Sequence, residues 1–319
     1  VKRLCYCVPH AVRAVLMSNR SKVHHFLPRV MQKSFCFRDN EIWYAEKKTD
    51  GKFKSPELTS TEKAFQISNY YSIRINGELS DVAETKYFGR VDNLLGSLIP
   101  DVLSSFDRGE VPVFSEYYLS LLHDLVYVMI KRTPEFPLNY KDLNAGKEIV
   151  REAIDKLGTC YEDQVLREKL VLELEDPVAL GSYGRDVRVG AIVRPSERVK
   201  RAMSNLVVRW AVSRSKHSFI LSSKIAYRIG NGGSNGLSNP NMEIWMPISP
   251  KISMVLLRDP TNSIPSIYVD TPTHIRKVNE FAAQNSGRIA SKSQKLIESL
   301  TGVKSRFGTL PMSERGKIV

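Results

Sequence analysis

Residues 242-MEIWMPISPKISMVLLR-258 contain the clearest fold signal of the chain. Met242–Ile248 and Ile252–Arg258 are short apolar runs rich in isoleucine, methionine and other large side chains, and Ser249-Pro250-Lys251 separates them. Two such runs on either side of a proline-containing turn predict a β-hairpin. Because a long helical stretch precedes this hairpin, the pattern favours an α+β protein over a doubly wound sheet.

The region before the hairpin has the three-and-four spacing of apolar residues that predicts amphipathic helices. Asp92–Phe106 carries leucine, isoleucine and valine at this spacing, and Phe114–Ile130 is the most apolar helical segment. Pro195 is placed to begin a further helix, which we predict to extend to Ala211. The other predicted helices are 59–71, 142–157, 161–174 and 272–300.

Strands are predicted near both ends of the chain. Glu41–Ala45 precedes a charged, glycine-bearing segment, and Ser218–Ile229 is an apolar run after the helical middle. The predicted fold class is therefore α+β: a helical middle, a small antiparallel sheet formed by N-terminal and C-terminal strands, and a long C-terminal helix. Gly230–Gly236 lacks the Gly-Lys-Ser/Thr ending of a phosphate-binding loop, so it predicts a flexible hairpin loop.

The chain has 319 residues, and we expect a single domain at 17–300. Residues 1–16 precede the first methionine, Met17, and are predicted to be a non-native or disordered extension, whereas 301–319 are predicted to form a basic tail. No apolar run approaches the roughly 18 residues that a membrane span needs. Four cysteines at irregular spacing are typical of reduced thiols, which predicts a cytoplasmic protein.

The composition is strongly basic, since 47 Lys and Arg against 34 Asp and Glu give a net charge of +13. Such an excess predicts a polyanionic partner, and nucleic acid is the partner we expect. Eleven basic residues and only two acidic ones lie between Arg185 and Arg228. A solvated surface that pairs with the acidic segment 147–176 would account for the same pattern. The candidate nucleic-acid-binding residues are Arg194, Arg198, Lys200, Arg201, Arg209, Arg214 and Lys216.

Two histidines at the start of the domain are candidates for chemistry. His24 and His25 are followed by Arg29, and metal-independent ribonucleases use such groups, one to move the proton of the 2′-hydroxyl and one to stabilise the phosphorane. A structural histidine fits the same sequence. His123 precedes Asp124 within an apolar helix, where a buried, hydrogen-bonded pair is expected. We find no cofactor or metal signature and predict neither.

The segment 25-HFLPRVMQKSF-35 resembles the opening of DUF4238, a family of proteins of unknown function found mostly in bacteria. Its members begin with histidine, an aromatic residue, an aliphatic residue and proline, and then reach a phenylalanine equivalent to Phe35. The family usually has an aspartate after the strand equivalent to Phe219–Ser222, where this chain has Ser223. The other segments similar to the family are Ile42–Lys47, Met246–Lys251 and Val278-Asn279.

The resemblance implies a function, because some family members are encoded among phage-defence genes. It implies an anti-phage effector with a phage protein as trigger. Together with the basic stretch from Arg185 to Arg228, it leads us to expect an effector that binds nucleic acid and cleaves it. His25 would then be the proton-transfer group, Arg29 the anion contact and Asn279 a third polar site residue. The missing aspartate at Ser223 favours the alternative, a non-catalytic module that binds nucleic acid or senses phage. A third hypothesis is a basic face that docks an acidic protein; the sequence leaves the oligomeric state open.

Overall fold

A computed structural model describes residues 23–75, 78–136, 142–193 and 195–302 of the chain. The predicted extension at 1–16 and most of the predicted tail at 301–319 lie outside these residues. The α+β class is confirmed.

The helices are α1 Arg29–Lys33, the π-helix Ala83–Phe88, α2 Gly89–Asp107, α3 Glu116–Lys131, α4 Asp142–Asp155, α5 Tyr161–Glu173, α6 Pro177–Val193, α7 Glu197–Ser204, α8 Pro272–Gln284 and α9 Gln294–Thr301.

The strands are short and are distributed over both ends of the chain. Those of the first half are β1 Val23–His25, β2 Glu41–Glu46, β3 Glu57–Ser60, β4 Gln66–Ser68, β5 Ile73–Ile75 and β6 Glu78–Ser80. Those of the second half are β7 Val207–Val212, β8 Leu221–Ser222, β9 Tyr227–Ile229, β10 Glu243–Pro247, β11 Ile252–Leu257, β12 Ile267–Val269 and β13 Arg288–Ser291.

The predicted hairpin forms the centre of a five-stranded sheet with the order β12-β7-β11-β10-β9. Strands β10 and β11 are antiparallel, with Trp245 opposite Val255, and β12 runs parallel to β7. Ile244 and Met246 belong to one apolar cluster with α2 and α3, whereas Trp245 belongs to a second cluster with α8 and α9. Because successive side chains point to opposite faces of a strand, this sheet is covered on both faces, which explains its nearly continuous apolar sequence.

A four-stranded sheet with the order β3-β2-β13-β8 joins the two ends of the described chain. Strand β13 pairs antiparallel with β2, where Ile289 lies opposite Ala45, and antiparallel with β8, where Ile289 lies opposite Ser222. This is the predicted small sheet of N-terminal and C-terminal strands, and the prediction is confirmed.

The helix predicted over 272–300 is divided in the structure into α8 and α9, with β13 between them. Asn285 ends α8, and the side chain of Ser293 caps α9 by accepting a hydrogen bond from Leu296 N. The intervening residues gain two strand partners in the four-stranded sheet. Tertiary pairing therefore overrides the helical periodicity that the apolar residues of this segment suggest.

Two further helix predictions are wrong, and one helix of the structure was not predicted. The helix predicted to extend from Pro195 to Ala211 ends at Ser204 and gives way to β7, whose run of valines suits a strand between two neighbours. The segment 59–71, predicted to be helical, contains the end of β3 and all of β4. The sequence analysis missed α6, because its apolar residues follow no clear amphipathic spacing and several glycines interrupt it.

Candidate functional site

The alternation of side chains in β9 turns one cation away from the core. Tyr227 and Ile229 pack in the cluster formed with α8 and α9. Arg228 lies between them, so its side chain points to the opposite face of the sheet, which α3 covers. Its neighbour on the adjacent strand β10 is Ile244. Since β9 is the edge strand of the five-stranded sheet, Arg228 lies where the sheet ends beside the last turn of α3.

Three cations converge at this edge. Arg228 from β9, Lys224 from the segment before it and Lys131 from the end of α3 line one cavity of about 240 Å³. Glu135, Phe136 and Asn235 are also part of its wall. We call this cavity, defined by Lys131, Lys224, Arg228, Glu135, Phe136 and Asn235, the basic cleft.

The cations of the basic cleft are half-buried, and none of them forms an ion pair or a side-chain hydrogen bond with the described residues. The Lys131 Nζ atom lies 4.0 Å from the centroid of the Phe136 ring. Burial lowers the pKa of Lys131, of Lys224 and of Arg228 below the ordinary values. Holding these charges partly out of water costs free energy, and a bound anion would offset that cost.

Among the described residues that line the cleft, Glu135 is the one carboxylate, and the protein's own hydrogen-bond donors hold it in place. It accepts hydrogen bonds from the hydroxyl groups of Ser223 and Thr133, and from Gly287 N at 2.7 Å. Ser223 occupies the position at which the family resemblance leads us to expect aspartate. An aspartate there would face Glu135, whereas the serine supplies a donor and makes this carboxylate a fixed part of the wall.

A second cavity, of about 430 Å³, is also lined by Glu135 and includes Lys47 and Arg288. The chain uses both of these cations. Lys47 Nζ donates to the carbonyl oxygens of Ala283 and Gln284 at the end of α8, at 2.9 and 2.8 Å. Arg288 Nε donates to Glu46 Oε1 at 2.8 Å. These residues hold the framework beside the basic cleft.

The nucleic-acid-binding residues predicted from the sequence are distributed over several places. Arg198, Lys200 and Arg201 are exposed on α7, and Lys200 is paired with Glu197 at 2.8 Å. Lys200 and Arg201 line an open groove of about 920 Å³ between α3, α7 and β7. Arg214 and Lys216 are exposed after β7, and Arg194 lies outside the described residues.

Arg209 differs from the other predicted contacts because it is buried. Its Nη2 atom donates to Asp259 Oδ2 at 2.9 Å and to Asn262 Oδ1 at 2.8 Å, and its Nε atom donates to Ile264 O. Arg209 therefore anchors the segment before β12, and its role as a phosphate contact stays a prediction.

The structure brings His25 and Arg29 together at Glu62. His25 Nε2 lies 3.0 Å from Glu62 O, and Arg29 Nη2 donates to Glu62 Oε1 at 3.2 Å on the surface. Burial lowers the pKa of His25, which favours the neutral imidazole. Neither residue lines the basic cleft, and their catalytic roles stay predictions.

Asn279, the third predicted catalytic residue, is buried in α8 and has no described contact with His25 or Arg29. Its Oδ1 atom accepts a hydrogen bond from Ile220 N at 3.1 Å, and its Nδ2 atom donates to Ser218 O at 2.8 Å. The side chain thus clamps the segment before β8 to α8. These are the contacts of a structural residue, while a catalytic role stays a prediction.

Sequence reasoning missed a buried polar network below the opening motif. Arg132 is fully buried, forms a bidentate ion pair with Asp92 and donates to His25 O at 2.7 Å. Its guanidinium lies over the rings of Tyr71 and Phe88. The sequence predicts only the end of a helix at Lys131-Arg132-Thr133-Pro134. It does not show that Arg132 is buried while the adjacent Lys131 lines a cavity.

The same network holds His24 and Glu84. His24 is buried, and its Nδ1 atom accepts a hydrogen bond from Tyr71 N at 2.9 Å. Glu84, on the π-helix, lies 3.9 Å from Arg132, yet burial raises its pKa to about 7. π-helices are rare and frequently lie at functional sites.

Because His24 is buried and bonded to the backbone of Tyr71, it has a structural role in the histidine pair.

The fold and the site define an α+β protein with a half-buried, cation-lined cleft at the edge of its central sheet. The family model described as "Protein of unknown function (DUF4238)" matches residues 23–295. The chain belongs to the DUF4238 family, as the opening motif led us to expect. No curated protein and no solved structure matches the chain.

None of the described helices combines the length and the apolar character needed to cross a membrane. Within the described ranges, no group of three or more His, Cys, Asp or Glu side chains is arranged to hold a metal ion.

Proposed function

We propose that this protein binds nucleic acid and that the basic cleft holds one of its phosphate groups. The observation that carries the proposal is the set of three half-buried cations, Lys131, Lys224 and Arg228, which form no ion pair with the described residues. Phosphate oxygens accept several charge-assisted hydrogen bonds from such groups at once.

A polymeric anion can contact both the basic cleft and the groove lined by Lys200 and Arg201, whereas a small anion contacts only one of them. Asp124, which lines the groove with Lys200 and Arg201, lies seven residues before Lys131 on α3, so about 10 Å of helix separates the groove from the basic cleft. A nucleic-acid strand is long enough to contact both places. The net charge of +13 attracts such a strand from a distance.

Binding without cleavage is the form of the function that we favour. The cleft wall offers cations and one carboxylate, Glu135, which already accepts three hydrogen bonds from the chain. His25 and Arg29 contact Glu62 instead of lining the cleft. The nuclease and anti-phage activities expected from the family resemblance stay predictions.

The binding experiment measures the affinity of the full chain for short labelled single-stranded RNA and DNA by fluorescence anisotropy. For the wild-type protein, we expect the dissociation constant to rise steeply between about 50 and 200 mM salt, because each phosphate contact releases counterions. Lys224→Gln/Arg228→Gln should weaken binding by about tenfold or more.

The matched control is Lys86→Gln/Arg90→Gln, which removes one lysine and one arginine from exposed positions outside the predicted nucleic-acid-binding residues. It should change the affinity by roughly twofold, in keeping with the small effect of exposed charges. Equal loss in both variants would show general attraction instead of a site, and no binding by the wild-type protein would refute the proposal. Product analysis of the same samples, with magnesium or with EDTA, tests cleavage. Plaque counts on bacteria that express the protein test phage defence.

A further inference from the structure

The geometry points to a more specific ligand: we infer that the basic cleft takes the terminal phosphomonoester of a nucleic-acid strand and not an internal phosphodiester. This inference rests on the proposed function and adds the chemical class of the group that enters the cleft.

The charge of the cleft matches a monoester. Lys131, Lys224 and Arg228 supply three positive charges, and Glu135 supplies one negative charge that Ser223, among others, already stabilises. The remaining charge is close to +2. A phosphodiester carries one negative charge, whereas a phosphomonoester carries about −1.5 to −2 at neutral pH. Only the monoester therefore compensates the cations of the cleft.

The size of the cleft leads to the same ligand. Its volume of about 240 Å³ is below the roughly 300–1,000 Å³ of pockets that enclose a drug-sized molecule. A phosphate group fits this space, but a base with its sugar does not enter as well. An internal phosphate brings two strand continuations that must both leave the cavity, whereas a terminal phosphate brings only one.

The wall is arranged before a ligand arrives. Glu135 joins the residues after α3 to Gly287 and Ser223, so it fixes the helix end that carries Lys131 beside the chain that carries Lys224. Asn235 adds a side-chain amide with no hydrogen bond to the described residues. Preorganised donors lose little conformational freedom on binding, which favours a compact anion with several acceptor oxygens.

Free phosphate and mononucleotides share this chemistry, and the strand is distinguished from them by its further contacts. A strand whose terminal phosphate occupies the cleft continues towards the exposed cations of α7, among them Arg198 and Arg201. Each phosphate contacted there adds affinity that a single nucleotide lacks.

The test uses the full chain and one internally labelled RNA sequence in three forms: with a 5′-phosphate, with a 3′-phosphate, or with hydroxyl groups at both ends. Inorganic phosphate and a nucleoside monophosphate serve as competitors. One phosphorylated strand should bind about tenfold tighter than the hydroxyl-ended strand at pH 7.5. Inorganic phosphate should remove this advantage without releasing the strand. The advantage should decrease as the pH falls through about 6, where the monoester gains a proton.

Lys224→Gln/Arg228→Gln should abolish the advantage, and Lys86→Gln/Arg90→Gln, at exposed positions outside every predicted site, should keep it. If the first variant does not fold, judged by thermal unfolding, Lys131→Gln takes its place, and the phosphate competition on the wild-type protein gives an independent answer. Equal affinity for phosphorylated and hydroxyl-ended strands overturns this inference and leaves nucleic-acid binding intact. Binding of no strand overturns both, and tighter binding of a mononucleotide than of any strand excludes the strand end as the ligand.

Discussion

The buried guanidinium of Arg132 donates a hydrogen bond of 2.7 Å to the carbonyl oxygen of His25. This bond joins the opening motif of the domain to the end of α3. The preceding residue, Lys131, lines the basic cleft. The motif by which the family resemblance was found is therefore connected, through one residue, to the wall of the candidate site.

Arg132→Met is expected to destabilise the protein strongly. The variant removes the partner of Asp92 and leaves Tyr71 and Phe88 without the cation that they enclose. Breaking a buried ion pair from one side typically costs about 3–5 kcal/mol. Urea unfolding measures the loss. Arg29→Met, which removes an exposed pair with Glu62, is the control and should cost at most about 1 kcal/mol.

Glu84→Gln is expected to change how stability depends on pH. Burial raises the folded-state pKa of Glu84 from 4.5 to about 7, so the folded protein binds this proton more tightly than the unfolded chain does. The stabilisation is fully present below pH 4.5 and is lost as the pH rises through 7. Each unit of pKa corresponds to about 1.4 kcal/mol, so the pH-dependent contribution of Glu84 to the free energy of unfolding is roughly 3 kcal/mol.

The measurement for Glu84 is the free energy of unfolding of both proteins between pH 4.5 and 8. Glutamine cannot titrate, so the difference between wild type and variant should shift in favour of the variant as the pH rises. A constant difference over this range would contradict the raised pKa.

Asn279→Ala is expected to lower stability without a matching loss of nucleic-acid binding. The variant leaves Ile220 N and Ser218 O without their side-chain partner in a buried place, which costs about 1–3 kcal/mol for each unsatisfied group. Asn285→Ala, which removes one bond at the end of α8, is a milder control. Loss of activity with unchanged thermal stability would instead support the catalytic role predicted from the sequence.

Ser223→Asp restores the residue that the family resemblance leads us to expect and places a second carboxylate against Glu135. Two carboxylates in one buried place cannot both ionise cheaply. We expect a lower melting temperature at pH 7 that recovers as the pH falls towards 5, and weaker binding of RNA because the cleft loses positive charge. Ser223→Asn has a similar shape without the charge, so it should show neither the pH dependence nor the full loss of affinity.

The sequence predicted the elements whose contacts are local. The hairpin of β10 and β11 and the amphipathic helices α2 and α3 follow from periodicity and turn residues. It did not predict the division of the last helix, because β13 forms only where β2 and β8 are both present. The local periodicity of a sequence does not show which distant strands will pair with a segment.

The basic cleft was only partly accessible from the sequence. Lys224 and Arg228 belong to the basic stretch that drew attention to nucleic acid, but Lys131 lies about ninety residues earlier and was read as a helix end. Arg209 belongs to the same stretch and is buried against Asp259. The signal that could have revealed the cleft is the single cation Arg228 between Tyr227 and Ile229. In a strand, its side chain points to the opposite face from both neighbours.

The four-stranded sheet also constrains the order in which the protein folds during its synthesis. Glu46 in β2 meets Arg288 in β13, its partner 242 positions later in the chain. At about 5–20 residues per second, the ribosome needs roughly 10–50 s to supply that partner. During this interval one edge of β2 is without its neighbour, and Gly287 has not yet reached Glu135. The wall of the basic cleft therefore becomes complete only after Gly287 has been synthesised, when about nine-tenths of the chain has been made.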